Sequence, residues 1–180
     1  GQDAEDSFIW LDPQQARAGA RELAEVLARE FDGDAETIRS RAEELDAALA
    51  ALPAERDRLR APLAGLRVLA ADSRVRPLID PLGVELAARR TTRPGADPTE
   101  EDIERFEAAA RAIEDPIYLT YTDEPAAGLS QEAPDLDMRV AAIDPLRRGE
   151  TDAAGYAMRL RRNWRNLALA AAFYAAAPGE

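Results

Sequence analysis

The chain has 180 residues, a formal net charge of −12, 23 cationic side chains that are all arginine, and neither histidine nor cysteine. These absences remove the commonest zinc ligands and the commonest general base, along with thiolate nucleophiles, disulfides and Schiff-base or phosphate-loop lysines. The acidic balance argues against nucleic acid, whose backbone demands clustered cations, and the missing residue types leave only carboxylates, hydroxyls and arginines for catalysis, as in glycoside hydrolysis by Asp and Glu.

The elements follow in chain order. The opening Gly1-Gln2-Asp3-Ala4 has no basic, apolar start, which fits a cytosolic protein or a mature exported one whose leader has been removed. Asp12 is placed to cap a first helix, with Pro13 in its first turn. Leu23, Val26, Leu27 and Phe31 keep helical spacing as far as the stop at Phe31-Asp32-Gly33-Asp34. A second helix starts near Asp34 and carries Ile38, Leu45, Leu49 and Leu52 on one stripe, until Pro53 kinks or divides it. From Pro62 onward the pattern changes. Four short apolar runs, at 66–71, 84–88, 116–122 and 138–143, read as strands. Between and after them lie helical stretches: 74–82, interrupted by Pro77 and Pro81; 100–113, capped by Thr99 with Asp102 three residues on; and 152–176. The longest apolar stretch, 167–178, is too short to span a bilayer. Residues 91–95 and 128–134 read as loops.

Strands alternating with helices predict an α/β fold, a four-stranded parallel sheet flanked by helices and preceded by a long helical hairpin. The whole chain reads as one domain, with 1–62 as N-terminal segment and hairpin and 63–180 as the α/β lobe.

Few residues stand out for chemistry. Asp144 and Asp72 end two of the strands and, with a backbone carbonyl, offer a weak site for a hard cation such as Mn²⁺ or Ca²⁺. Such ions want six or more oxygens, so the preferred reading of Asp144 is a turn cap with Pro145. Asp135 and Asp137 read as a solvated acidic loop. Trp10 reads as packing beside the first helix, whereas Trp164 reads equally as core or as a binding anchor. Tyr118 and Tyr121 lie on the third strand, with Tyr121 nearer the C-terminal edge where α/β sheets place ligands. The basic segment Arg159-Leu160-Arg161-Arg162-Asn163-Trp164-Arg165 suits an acidic partner, but reads first as pairing with the chain's own carboxylates.

Trp10-Leu11-Asp12-Pro13, followed by a long Ala/Leu/Glu hairpin, resembles the solute-binding proteins of zinc and manganese ABC transporters, where the motif typically runs His-Val-Trp-Leu-Asp-Pro. The likeness continues in order. Residues 67–73 resemble the strand that closes on His-Asp-Ala, and Gly83-Val84-Glu85-Leu86 is similar to the next strand. Residues 95–113 resemble the following loop and capped helix. Asp144-Pro145-Leu146 resembles the strand-end Asp-Pro-Leu, and residues 156–166 the closing helix.

The resemblance covers the family's backbone helix and C-terminal lobe, with no counterpart to its N-terminal lobe. It implies a non-catalytic, periplasmic or extracellular protein of metal uptake. It also implies a dismantled metal site: Phe8 and Ala71 stand where the family has histidines, leaving Asp72 and Asp144. No resident cofactor is expected. The expected role is that of an accessory or docking module, meeting a protein partner or a second copy through the face a first lobe would cover. Ile38, Leu45, Leu49, Leu52, Arg161 and Trp164 are the candidate partner surface, and a metal ABC transporter or metallochaperone the candidate partner. An alternative reading has a hard cation or small organic ligand held by carboxylates and arginines. A carboxylate-only hydrolase ranks last.

Overall fold

A computed structural model describes residues 8–122, 136–148 and 152–175 of the chain. The four apolar runs form strands β1 (Arg67–Ala70), β2 (Glu85–Arg89), β3 (Ile117–Tyr121) and β4 (Arg139–Ile143). All neighbours pair in parallel, in the order β2-β1-β3-β4. The two central strands carry apolar residues on both faces, which is why they read as runs rather than as alternation. Val68, Ala70, Ile117, Leu119 and Tyr121 enter the larger core, while Leu69 and Tyr118 enter a smaller one.

Helices α1 (Pro13–Glu30), α2 (Ala35–Leu49) and α3 (Leu52–Leu63) precede the sheet. The expected division falls at Ala50 and Ala51, and Pro53 sits in the first turn of α3, where its missing N–H costs nothing. Between β1 and β2 the proline-interrupted stretch yields only α4 (Arg76–Ile79) between two 3-10 turns. It ends on Gly83, whose φ of 74° a side chain would resist. Helix α5 (Glu100–Arg111) follows β2 and opens with the expected capping box, Thr99 and Asp102 bonding each other's backbone. Helix α6 (Ala153–Ala175) closes the described chain. Phe106 and Ala110 of α5 cover one face of the sheet, with Phe106 edge-on to Tyr118. Residues of α2, α3, α4 and α6 cover the other.

Burial settles two features of the packing. The apolar spacing of α1 does not face the core: Leu23, Val26 and Phe31 are 57%, 48% and 54% exposed, while Ala24 and Ala28 are buried. Small residues on the inner side let α2 approach closely, and the larger side chains are left outside. The expected partner surface on α2, α3 and α6 is largely interior. Leu49 and Leu52 are fully buried in the larger core, Trp164 lies there too, and Leu45 packs at its edge. Each buried leucine contributes about 1.5–3 kcal/mol, so these residues hold the hairpin to the sheet and are not free to dock anything. Ile38 is half-buried and Arg161 exposed. Asp135 and residues 128–134 lie outside the described residues.

Candidate functional site at the strand ends

Strand β1 connects to β2 on one side of it, and the chain then crosses over to β3 on the other. The carboxyl ends of β1 and β3 therefore flank the switch point at which open α/β sheets bind their ligands. Asp72 lies just beyond β1 and Tyr121 ends β3. The side chain of Asp72 caps the turn that follows, accepting the Arg74 backbone N–H at 2.8 Å. Its other oxygen accepts Arg74 Nε at 2.9 Å and the Arg74 terminal nitrogen at 2.5 Å. The Tyr121 hydroxyl donates to Oδ1 at 2.9 Å. A carboxylate has about four lone-pair sites, and four donors occupy those of Asp72.

Phe8 completes the cluster. It is buried, stacks on Trp10 at 5.3 Å between ring centroids, and meets Tyr121 edge-on at 5.4 Å. The guanidinium carbon of Arg74 lies 4.8 Å from the centre of the Phe8 ring and 5.3 Å from that of Tyr121, and the guanidinium of Arg147 lies 5.2 Å from Phe8. The Phe8 N–H also donates to the Arg74 carbonyl at 3.3 Å. A planar, weakly hydrated cation over aromatic faces is a favourable arrangement even when desolvated.

Asp144 has an arginine of its own. Arg159 grips it with bonds of 2.7 and 2.8 Å, and the Leu146 N–H donates to it at 2.9 Å, forming the expected turn cap over Pro145. Burial pushes the Asp144 carboxyl up, but the Arg159 fork and the Leu146 N–H outweigh it and hold the group below the ordinary carboxylate range. Asn163, fully buried, ties α6 to this strand end by accepting the Asp144 N–H and donating to the Asp144 carbonyl.

The Trp-Leu-Asp-Pro segment is a clamp across the same end of the sheet. Trp10 Nε1 donates to the Pro145 carbonyl at 2.7 Å, and the Trp10 carbonyl accepts the Tyr156 hydroxyl from α6. Asp12 caps α1 through the Gln14 N–H at 2.8 Å and accepts Arg56 Nη1 of α3 at 3.3 Å. Burial, with the Asp12 charge nearby, pushes the Tyr156 phenol well above its ordinary value. The Trp10 side chain is half-buried and packs against the larger core. Trp164 is core, and its Nε1 has no hydrogen-bond partner among the described residues. Arg161 forks Glu55 at 2.7 Å on each arm, so the basic segment does pair internally.

The structure therefore gathers Phe8, Asp72 and Tyr121 at the switch point around Arg74, a residue that sequence reading passed over. The signal lay in Asp72-Ser73-Arg74, where an aspartate beyond a strand precedes an arginine two residues on. Asp72 and Asp144 are each held by an arginine of their own, Arg74 and Arg159. Among the described residues there is no group of three carboxylate, histidine or cysteine side chains arranged to hold a metal ion. The donor set does not fit a transition metal: imidazole and thiolate are absent from the sequence, and the strand-end carboxylates are engaged. Ala71 lines a neighbouring cleft of about 330 Å³ with Asp72, Arg90, Thr91, Asp97 and Thr120. No helix among the described residues is long and apolar enough to cross a membrane.

Solved structures share this fold. The solute-binding protein FpvC of Pseudomonas aeruginosa, in complex with Ni²⁺, superposes with a TM-score of 0.77 at 17% identity, over 93% of this chain and 63% of that one. FpvC with Mn²⁺ gives 0.74 at 16%, over 91% and 62%. The periplasmic zinc-binding protein TroA of Treponema pallidum gives 0.75 at 14%, over 92% and 64%. At such identities the likeness is one of fold, and the chain spans under two thirds of each relative's length. No curated protein sequence matches the chain. The family described as ZnuA, zinc-uptake complex component A, periplasmic, matches residues 1–170, and the chain belongs to that family.

Proposed function

We propose that this chain is a non-catalytic, extracytoplasmic component of a metal-uptake system that captures no transition metal through its own strand-end residues and acts by docking. The observation that carries this reading is the engagement of Asp72 by Arg74 and of Asp144 by Arg159 in a chain without histidine or cysteine. Family membership supports the setting, an uptake complex with several components. The buried stripe of Leu49 and Leu52 gives docking no surface. The outer side of α1 and its C-terminal cap, where Leu23, Val26 and Phe31 stand about half exposed, supports contact with the other components of that complex. Isolation of the protein from its source, with native mass and elemental analysis, tests the reading. Recovery with a transporter component and without zinc is expected; a lone monomer carrying one zinc per chain would sink it.

A second reading rests on the 330 Å³ cleft beside Ala71, whose lining includes Arg90, Thr91 and Asp97, a pattern of both charges that suits a small zwitterionic ligand. Saturation binding of an amino acid, lost on Asp97→Ala, would favour it over docking.

A further inference from the structure

We infer that the end of the sheet between β1 and β3 is a guanidinium site filled by the protein's own Arg74, an internal cation that keeps this end of the molecule organised without any divalent metal. This goes beyond the uptake reading and stands whether or not the chain docks a partner. Three observations converge on it. The anion is spent, since Asp72, 1% exposed, receives four donors, three of them from Arg74 itself. The walls are aromatic, with Phe8 and Tyr121 both about 5 Å from the guanidinium carbon. Such faces attract a diffuse planar cation and provide no lone pair to a metal ion. The cation is also fixed from its backbone: its N–H is held by Asp72, and its carbonyl by the N–H of Phe8.

Phe8 and Asp72 belong to segments more than sixty residues apart, so Arg74 joins the N-terminal segment to the sheet as a bound ion would. A divalent ion placed here would have to displace the fork or sit against its fixed positive charge. Either is costly in a buried site.

The test uses the full chain. In calorimetric titration with Zn²⁺ and with Mn²⁺, no stoichiometric binding is expected, and the thermal midpoint should be the same with and without chelator. Stoichiometric binding that disappears in Asp72→Asn would overturn the inference. Arg74→Ala, and Arg74→Met, which keeps packing on the rings, should each lower the midpoint by about 10 °C. Methylguanidinium at about 20 mM, far below denaturing concentrations, should restore roughly half of that loss in Arg74→Ala. Equal methylammonium or sodium should not restore it, and the unsubstituted protein should not respond. An unchanged midpoint in Arg74→Ala, or no difference among the three cations, would overturn the assignment. If neither variant folds, the metal titration of the unsubstituted protein decides.

Discussion

The helical hairpin and the strand-end site both hold an arginine against an aspartate at the same distance: Arg17 Nε and Arg74 Nε each lie 2.9 Å from a carboxylate oxygen of Asp46 and Asp72. Their surroundings differ. On the hairpin the Arg17 and Asp46 side chains are each 24% exposed, and Arg21 reaches in from solvent as a second cation on the same carboxylate. At the strand end Asp72 and Arg74 are nearly dry, and they are tied to Tyr121, to Phe8 and to their own backbone. Water can take over for a lost partner in the first case and not in the second. Similar geometry thus marks a solubilising face in one region and a structural keystone in the other, and burial decides between them.

Breaking the buried pair should have the largest effect. Asp72→Ala leaves the Arg74 charge without its fork and should cost about 3–5 kcal/mol in urea unfolding, with Asp72→Asn costing less. Tyr121→Phe removes one donor of four and should cost about 1.5–3 kcal/mol in the same measurement. The contrast sharpens with pH at the other strand end. The folded pKa of Asp144 lies below its unfolded value of about 4, so its contribution is complete above that pH and is lost as pH falls through the folded value. Asp144→Asn should therefore destabilise the protein near neutrality and flatten its acid unfolding limb. An acid limb unchanged by the substitution would show that Arg159 does not hold the ionised form. The smallest effect is expected on the hairpin. Arg41→Ala, which removes an exposed pair with Glu44 one helical turn away, should move stability by no more than about 0.5 kcal/mol. A loss there as large as that of Asp72→Ala would erase the distinction between the two regions.

What the sequence by itself determined was local. The four strands, the helices between them, the Asp12 cap, the Thr99–Asp102 capping box and the Asp144 turn all depend on residues within a few positions of one another, where spacing carries the information. The residue types also determined which ligands the chain lacks. Tertiary structure decided the rest. Whether an apolar helix stripe faces inward depends on what packs opposite it, so Leu23 and Val26 emerged exposed on α1 while Leu49, Leu52 and Trp164 went to the core. Arg161 meets Glu55 across 106 residues of chain, and Trp10 meets Pro145 across 135, separations at which no periodicity survives. Arg74 became the centre of the strand-end site only because parallel pairing of β1 with β3 sets Tyr121 beside Asp72, and the N-terminal segment lays Phe8 against Tyr121 and the Arg74 guanidinium. Long-range pairing is settled by the packing free energy of the whole fold, which no short stretch of residues encodes.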